Sequence, residues 1–168
     1  MGDSIGKIIA IGLAGILMFI FPLMEVLQRQ DDIVQGSVQA ITERFVADVN
    51  NERVLTEDRL AKFQQEIDAT GNRYVIALEH KVADENPGKK SQDVAKDKQG
   101  ERVYYSKFTD QIEEVLDDEG KYNLKQGDFF SVSVLITNKT MAETLQSFIF
   151  GNNEANYKII AQASGMVR

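Results

Sequence analysis

The sequence predicts an α+β protein: a long N-terminal helix followed by a small head of about four strands, mainly antiparallel, with helices on one side. Three observations carry this expectation. The uncharged apolar run inside KIIAIGLAGILMFIFPLME (residues 7–25) leads, through Gln28, Arg29, Gln30, Asp31 and Asp32 with no Gly or Pro among them, into a stretch whose apolar residues recur every three or four positions. The run DFFSVSVLIT (residues 128–137) alternates large apolar and small or opposite-facing residues with the period of a strand. Short helix-periodic segments elsewhere begin at capping residues and stop at glycines.

The first element is the longest. From Ile8 to Met24 there are 17 residues without a charge, and as a helix they reach ~26 Å, close to the thickness of a bilayer's hydrocarbon core. A cleavable secretory signal would end in small residues, whereas this run ends Phe19, Ile20, Phe21, Pro22, Leu23, Met24. A core helix of a soluble domain would carry a polar stripe, and this run has none. The expectation is therefore a retained single-pass anchor in the cell membrane, with Ile8, Ile9, Ile11, Ile16 and Phe19 facing lipid or sister helices. Gly12 and Gly15 offer small surfaces where another helix could approach. Pro22 lacks a backbone donor and predicts a bend near the exit. Lys7 on one side and Arg29 and Arg44 on the other leave the charge asymmetry weak; the short N-terminal head and the acidic C-terminal flank favour N-terminus inside and head outside.

Val34, Val38, Ile41, Phe45 and Val49 step by four, three, four and four, which predicts an amphipathic stem packed on the head. The division is thus 1–50 for span and stem and 51–168 for the head. In the head, Thr56 caps a helix with Leu60, Phe63 and Ile67 inward and Gly71 as its stop. A strand from residue 73 to 82 puts Tyr74, Ile76, Leu78 and His80 on one face. ADENPGKKSQDVAKDKQG (residues 83–100) reads as a mobile, solvated loop or hairpin tip, with residues 101–106 returning as a strand. Phe108, Ile112, Val115 and Leu116 mark a short helix before Gly120. The next strand places Phe130, Val132, Val134 and Ile136 inward. Thr140 and Glu143 then have the spacing of a capping box, opening a helix with Leu145, Phe148 and Ile149 inward and Gly151 as its stop. A last strand, residues 157–163, sets Ile159 and Ala161 on one face and Ile160 on the other.

Composition narrows the function classes. The formal net charge is −7, and since the first 24 residues hold one acid, Asp3, and one base, Lys7, the whole surplus lies on the stem and head. Such a surface repels nucleic acid, so no nucleic-acid partner is expected. With no cysteine there is no disulfide, zinc–thiolate site or thiol nucleophile. The single histidine, His80, falls on a strand face, where a structural role is the simpler reading. Asp117, Asp118 and Glu119 lack the alternating spacing of a calcium loop. No catalytic, cofactor-binding or metal residue is nominated. A tethered binding or sensor module and, more remotely, a tethered hydrolase remain as readings of another class.

Short polar head, apolar helix, amphipathic stem and small α+β domain together resemble type IV pilins. MGDSIGKIIA, LTEDRLAKFQQEIDATGNRYVIALEH, QGDFFSVSV and SGMVR look more specifically like small single-span proteins of Gram-positive bacteria that accompany Tad-type pilus or secretion machinery. The resemblance implies a structural, non-enzymatic subunit without cofactors, whose stem associates with lipid, with copies of itself or with other pilus-system subunits. Cleavage after Gly6 would put Ile11 where that family carries a glutamate, which implies a minor subunit or an unprocessed component of the assembly machine.

Overall fold

The computed structural model describes residues 2–84, 104–151 and 157–168. The chain folds as α1 (Gly2–Glu52), β1 (Val54–Thr56), α2 (Glu57–Asp68), β2 (Tyr74–Ala83), β3 (Tyr104–Phe108), α3 (Thr109–Glu119), β4 (Lys121–Asn123), β5 (Phe129–Ile136), α4 (Met141–Phe150) and β6 (Lys158–Met166). The α+β class and the long first helix agree with the sequence expectation. At 51 residues, α1 is ~77 Å long. It continues through Pro22 although that residue cannot donate to the carbonyl one turn back.

Four strands form an antiparallel sheet in the order β3-β2-β5-β6. The period-2 pattern sets its register: Tyr74 lies opposite Ile136, Ile76 opposite Val134, Leu78 opposite Val132 and His80 opposite Phe130. All the residues read as inward in β2 and β5 therefore share one face. Helices α1, α2 and α3 contribute Val38, Phe45, Val49, Phe63, Ile67, Ile112 and Leu116 to the single core built on that face. The rings of Phe45 and Phe63 stack with centroids 4.2 Å apart, and Phe130 lies 6.4 Å from Phe45. A two-stranded ribbon of β1 and β4, too short to leave a periodic signal, closes the far end.

Three local expectations are corrected. In β6, Val134 faces Ala161 while Leu135 faces Ile159, so Ile160 is an extra residue in a bulge. Ile160 and Ala161 consequently both turn inward, and Ile159 turns out to 54% exposure. In α4 the inward residues are Ala142, Leu145 and Ile149, whereas Phe148 is 86% exposed. Leu145 has apolar neighbours at both +3 and +4, and packing selected the second. The returning strand is described over Tyr104–Phe108, past its expected end at residue 106, and takes in Phe108, which was expected in the helix that follows; residues 101–103 of that strand and 85–100 of the loop lie outside the described residues.

Helix ends follow local chemistry. Thr56 Oγ1 accepts from the Arg59 N–H at the start of α2, and Glu57 and Asp58 sit in its first turn, where the dipole favours acids. Thr140 and Glu143 form the reciprocal capping box at α4. Its far end closes on Gly151 at φ 70°, a left-handed conformation in which any Cβ is strained.

Candidate membrane-anchor site

Every residue from Ser4 to Phe19 is exposed on all sides of α1. Ile8, Ile9, Ile11, Ile16 and Phe19 are between 58% and 80% exposed. A Cβ built on Gly12 or Gly15 would meet nothing within 4 Å, so both lie on bare helix surface. Pro22 is exposed as well. The segment is thus one helix long and apolar enough to cross a membrane, and none of it is buried in the protein.

The second half of α1 is built differently. Val38, Phe45 and Val49 are buried and Val34 and Ile41 half-buried, so the predicted stem face is the one that meets the sheet. The face is wider than the five-residue stripe. Thr42, Val46 and Asn50 are buried too, Thr42 because its hydroxyl donates to the Val38 carbonyl one turn back and leaves no polar group unmet. Gly165 of β6 passes so close that a Cβ there would lie 2.5 Å from Asn50 Nδ2, which is why a residue without a side chain stands at that crossing.

The seam also starts earlier than the sequence stripe. Ile20, Met24 and Leu27 are half-buried, continuing through Asp31 and Val34 in steps of four, three, four and three. Helix α4 packs against α1, and Thr140 Oγ1 donates to Asp31 Oδ2 at 2.6 Å, tying the start of α4 to the stem. Because Ile20 and Met24 fall inside the uncharged run, their spacing was masked by apolar neighbours on every side.

Stem and sheet edge are joined by a polar device. Strand β6 is an edge strand, and the carboxamide of Gln39 meets its backbone as another strand would: Nε2 donates to the Gln162 carbonyl and Oε1 accepts from the Gln162 N–H, both at 3.0 Å. Below it, Glu43, Val46, Asn50, Ser164 and Arg168 line a groove of about 390 Å³. Asn50 Oδ1 is buried beside it without a hydrogen-bond partner.

His80, opposite Phe130 toward the C-terminal end of β2, sits in a closed polar cluster. Its Nδ1 lies 2.7 Å from the Tyr122 hydroxyl and its Nε2 3.0 Å from Asp128 Oδ2. Asp128 also accepts from the Ala83 and Lys125 N–H groups. A carboxylate only accepts, which places the imidazole proton on Nε2 and makes Tyr122 the donor to Nδ1. Burial disfavours the imidazolium and lowers the His80 pKa below 6.5 despite the hydrogen bond and charge of Asp128. Burial, with the charges of Tyr105 and Asp128, pushes Tyr122 up to about 12. Both ring nitrogens are engaged and His80 is buried, so the cluster acts as a fastener between β2, β4 and the loop before β5. Tyr122 and Asp128 had no sequence signal linking them to His80, from which they are separated by 42 and 48 positions. Asp117, Asp118 and Glu119 point into solvent at the end of α3.

Compared with protein-family models, with curated proteins and with solved structures, the chain gives no match.

Proposed function

We propose that the chain is a structural, non-enzymatic membrane protein, a pilin-like subunit or assembly component of a Tad-like pilus or secretion system. The N-terminal half of α1 serves as anchor and packing rod, and the head stands on the outer side. The observation that carries this reading is the division of one unbroken helix into a bare apolar half and a half that forms the head's core. A rod so built transmits the position of the head to its neighbours without a hinge. Gly12 and Gly15, open on the bare half, suit close approach of a second rod.

The absence of native cysteine makes the test direct. Single cysteines placed in turn across residues 8 to 19 of the membrane-inserted protein should form disulfide dimers with a helical period, strongest near Gly12 and Gly15. Uniformly absent dimers in native membranes would remove the assembly role.

A second reading, a membrane-tethered binding or sensor module, draws on the groove beside Asn50. Its volume of about 390 Å³ falls in the ordinary range for small-ligand sites, and Glu43, Asn51, Ser164 and Arg168 supply polar groups to its lining. That reading predicts a persistent monomer in the same experiment.

A further inference from the structure

We propose that helix α4 is a second membrane contact, entering the head-side interface of the bilayer with Phe148 and Phe150; this rests on reading the bare half of α1 as a membrane span.

The placement follows from the stem. Thr140, the cap of α4, is bonded to Asp31. A helix of 10 residues is ~15 Å long, the same rise that separates Asp31 from about Phe21 on α1. Helix α4 packs against α1, and with its start tied to Asp31 the half-burial of Leu27, Met24 and Ile20 on α1, and of Leu145 and Ile149 on α4, is the pattern that an α4 running back toward the N-terminus of α1 would produce. The end of α4 thus stands level with the last turn of the uncharged run that finishes at Met24. A span reaching that far into the hydrocarbon carries the end of α4 down to the lipid surface with it.

The chemistry of α4 is graded along the same axis. Its one charged residue, Glu143, lies in its first turn beside Asp31, on the side away from the bilayer. After Glu143 no charge occurs as far as Gly151. Phe148 and Phe150 turn outward, 86% and 64% exposed, and Phe21 and Leu23 on the stem are exposed apolar residues too. An uncharged helix end that presents two Phe side chains gains the free energy of apolar burial when it dips into the headgroup boundary. A patch meant for a protein partner would have no reason to stop at the depth where the anchor begins. Two contacts instead of one would hold the head at a fixed tilt on the membrane.

The chain has no tryptophan, so single reporters are unambiguous. Phe148→Trp, Phe150→Trp, Ile16→Trp within the span and Val75→Trp on the open sheet face would each be reconstituted as full-length protein in phosphatidylcholine vesicles. Lipids brominated near the headgroup or near the chain end then report depth. The expected result is that the Phe148 and Phe150 reporters lose most of their emission to the shallow label, Ile16→Trp to the deep label, and Val75→Trp to neither. If Ile16→Trp is quenched while both α4 reporters remain open to iodide, the anchor stands and the α4 contact is overturned. Should the α4 reporters be shielded from iodide yet unquenched by lipid, a second protein copy covers them and the proposal equally fails. An unquenched Ile16→Trp would remove the anchor reading and this inference together.

Discussion

Between Ser4 and Phe19 every residue of helix α1 is exposed whichever way it points, whereas between Val38 and Asn50 buried and exposed positions follow the helical repeat. The backbone is the same continuous helix in both halves. What differs is what each half packs against. The second half opposes a sheet on one side and water on the other, so Arg44 can bond Glu66 outside while Phe45, its neighbour in sequence, stacks on Phe63 inside. The first half shows no such asymmetry, and in a bilayer each Leu, Ile or Phe near its centre would favour insertion by ~0.3–0.6 kcal/mol. One rod thus couples a bare apolar segment to a folded head, and damage to either half should leave the other intact.

The largest effect is expected in the head. Phe130→Ala empties a fully buried site against Phe45 and should cost about 3–5 kcal/mol of head stability, read as a lower denaturant midpoint, while membrane retention is unchanged. The reciprocal variant, Ile16→Lys, should cost ~2.5–3.5 kcal/mol in insertion and release the protein from the membrane fraction with the head's unfolding curve unaltered. If either variant altered both readouts, the two halves would not be the independent units their burial pattern implies.

Tyr122→Phe sharpens the comparison within the head, because it leaves His80 Nδ1 buried without its donor. A loss of about 1–3 kcal/mol is expected. The pH profile identifies the cause. His80, lowered from 6.5, is protonated first in the unfolded chain as pH falls, so stability is complete above 6.5 and declines as acid is added below it. Tyr122, raised from 10.0 to about 12, loses its proton first in the unfolded chain, so stability declines between those two values as pH rises. The alkaline slope should be weakened in Tyr122→Phe and the acid slope kept; a profile identical to the parent's would dismiss the cluster as its source. A comparable or smaller effect is expected from Gly165→Ala, whose methyl group would collide with Asn50, at about 1–3 kcal/mol. Adding Asn50→Ala should recover part of that loss, and strict additivity in the double variant would show that the clash is not what matters.

The two faces of the main sheet repeat the lesson on a smaller scale. The face of Leu78, Phe130, Val132 and Val134 is sealed by helices, while across the sheet Val75 and Ile159 are 51% and 54% exposed. Alternation in β2 and β5 was legible because each strand has one sealed face and one open one. In β6 the alternation misled, since a bulge at Ile160 shifts the phase and a bulge depends on the partner strand, not on the strand's own composition. The stem stripe from Val34 to Val49 was legible for the same reason as β5. Its extension through Ile20, Met24 and Leu27 was not, because a stripe is visible only against polar neighbours and the run around it has none.

By itself the sequence determined the elements whose signals are local: the uncharged run, the 3.6-residue stripe of the stem, the alternating strands, and the Thr56 and Thr140 caps. These depend on periodicity and on backbone groups a few residues away. Tertiary structure alone decided which long-range partners meet: α4 beside the base of the stem, Gln39 on the edge of β6, Asn50 against Gly165, and Tyr122 and Asp128 around His80. Such pairs are chosen by the closure of the whole chain around one core, and no window of neighbouring residues carries that information.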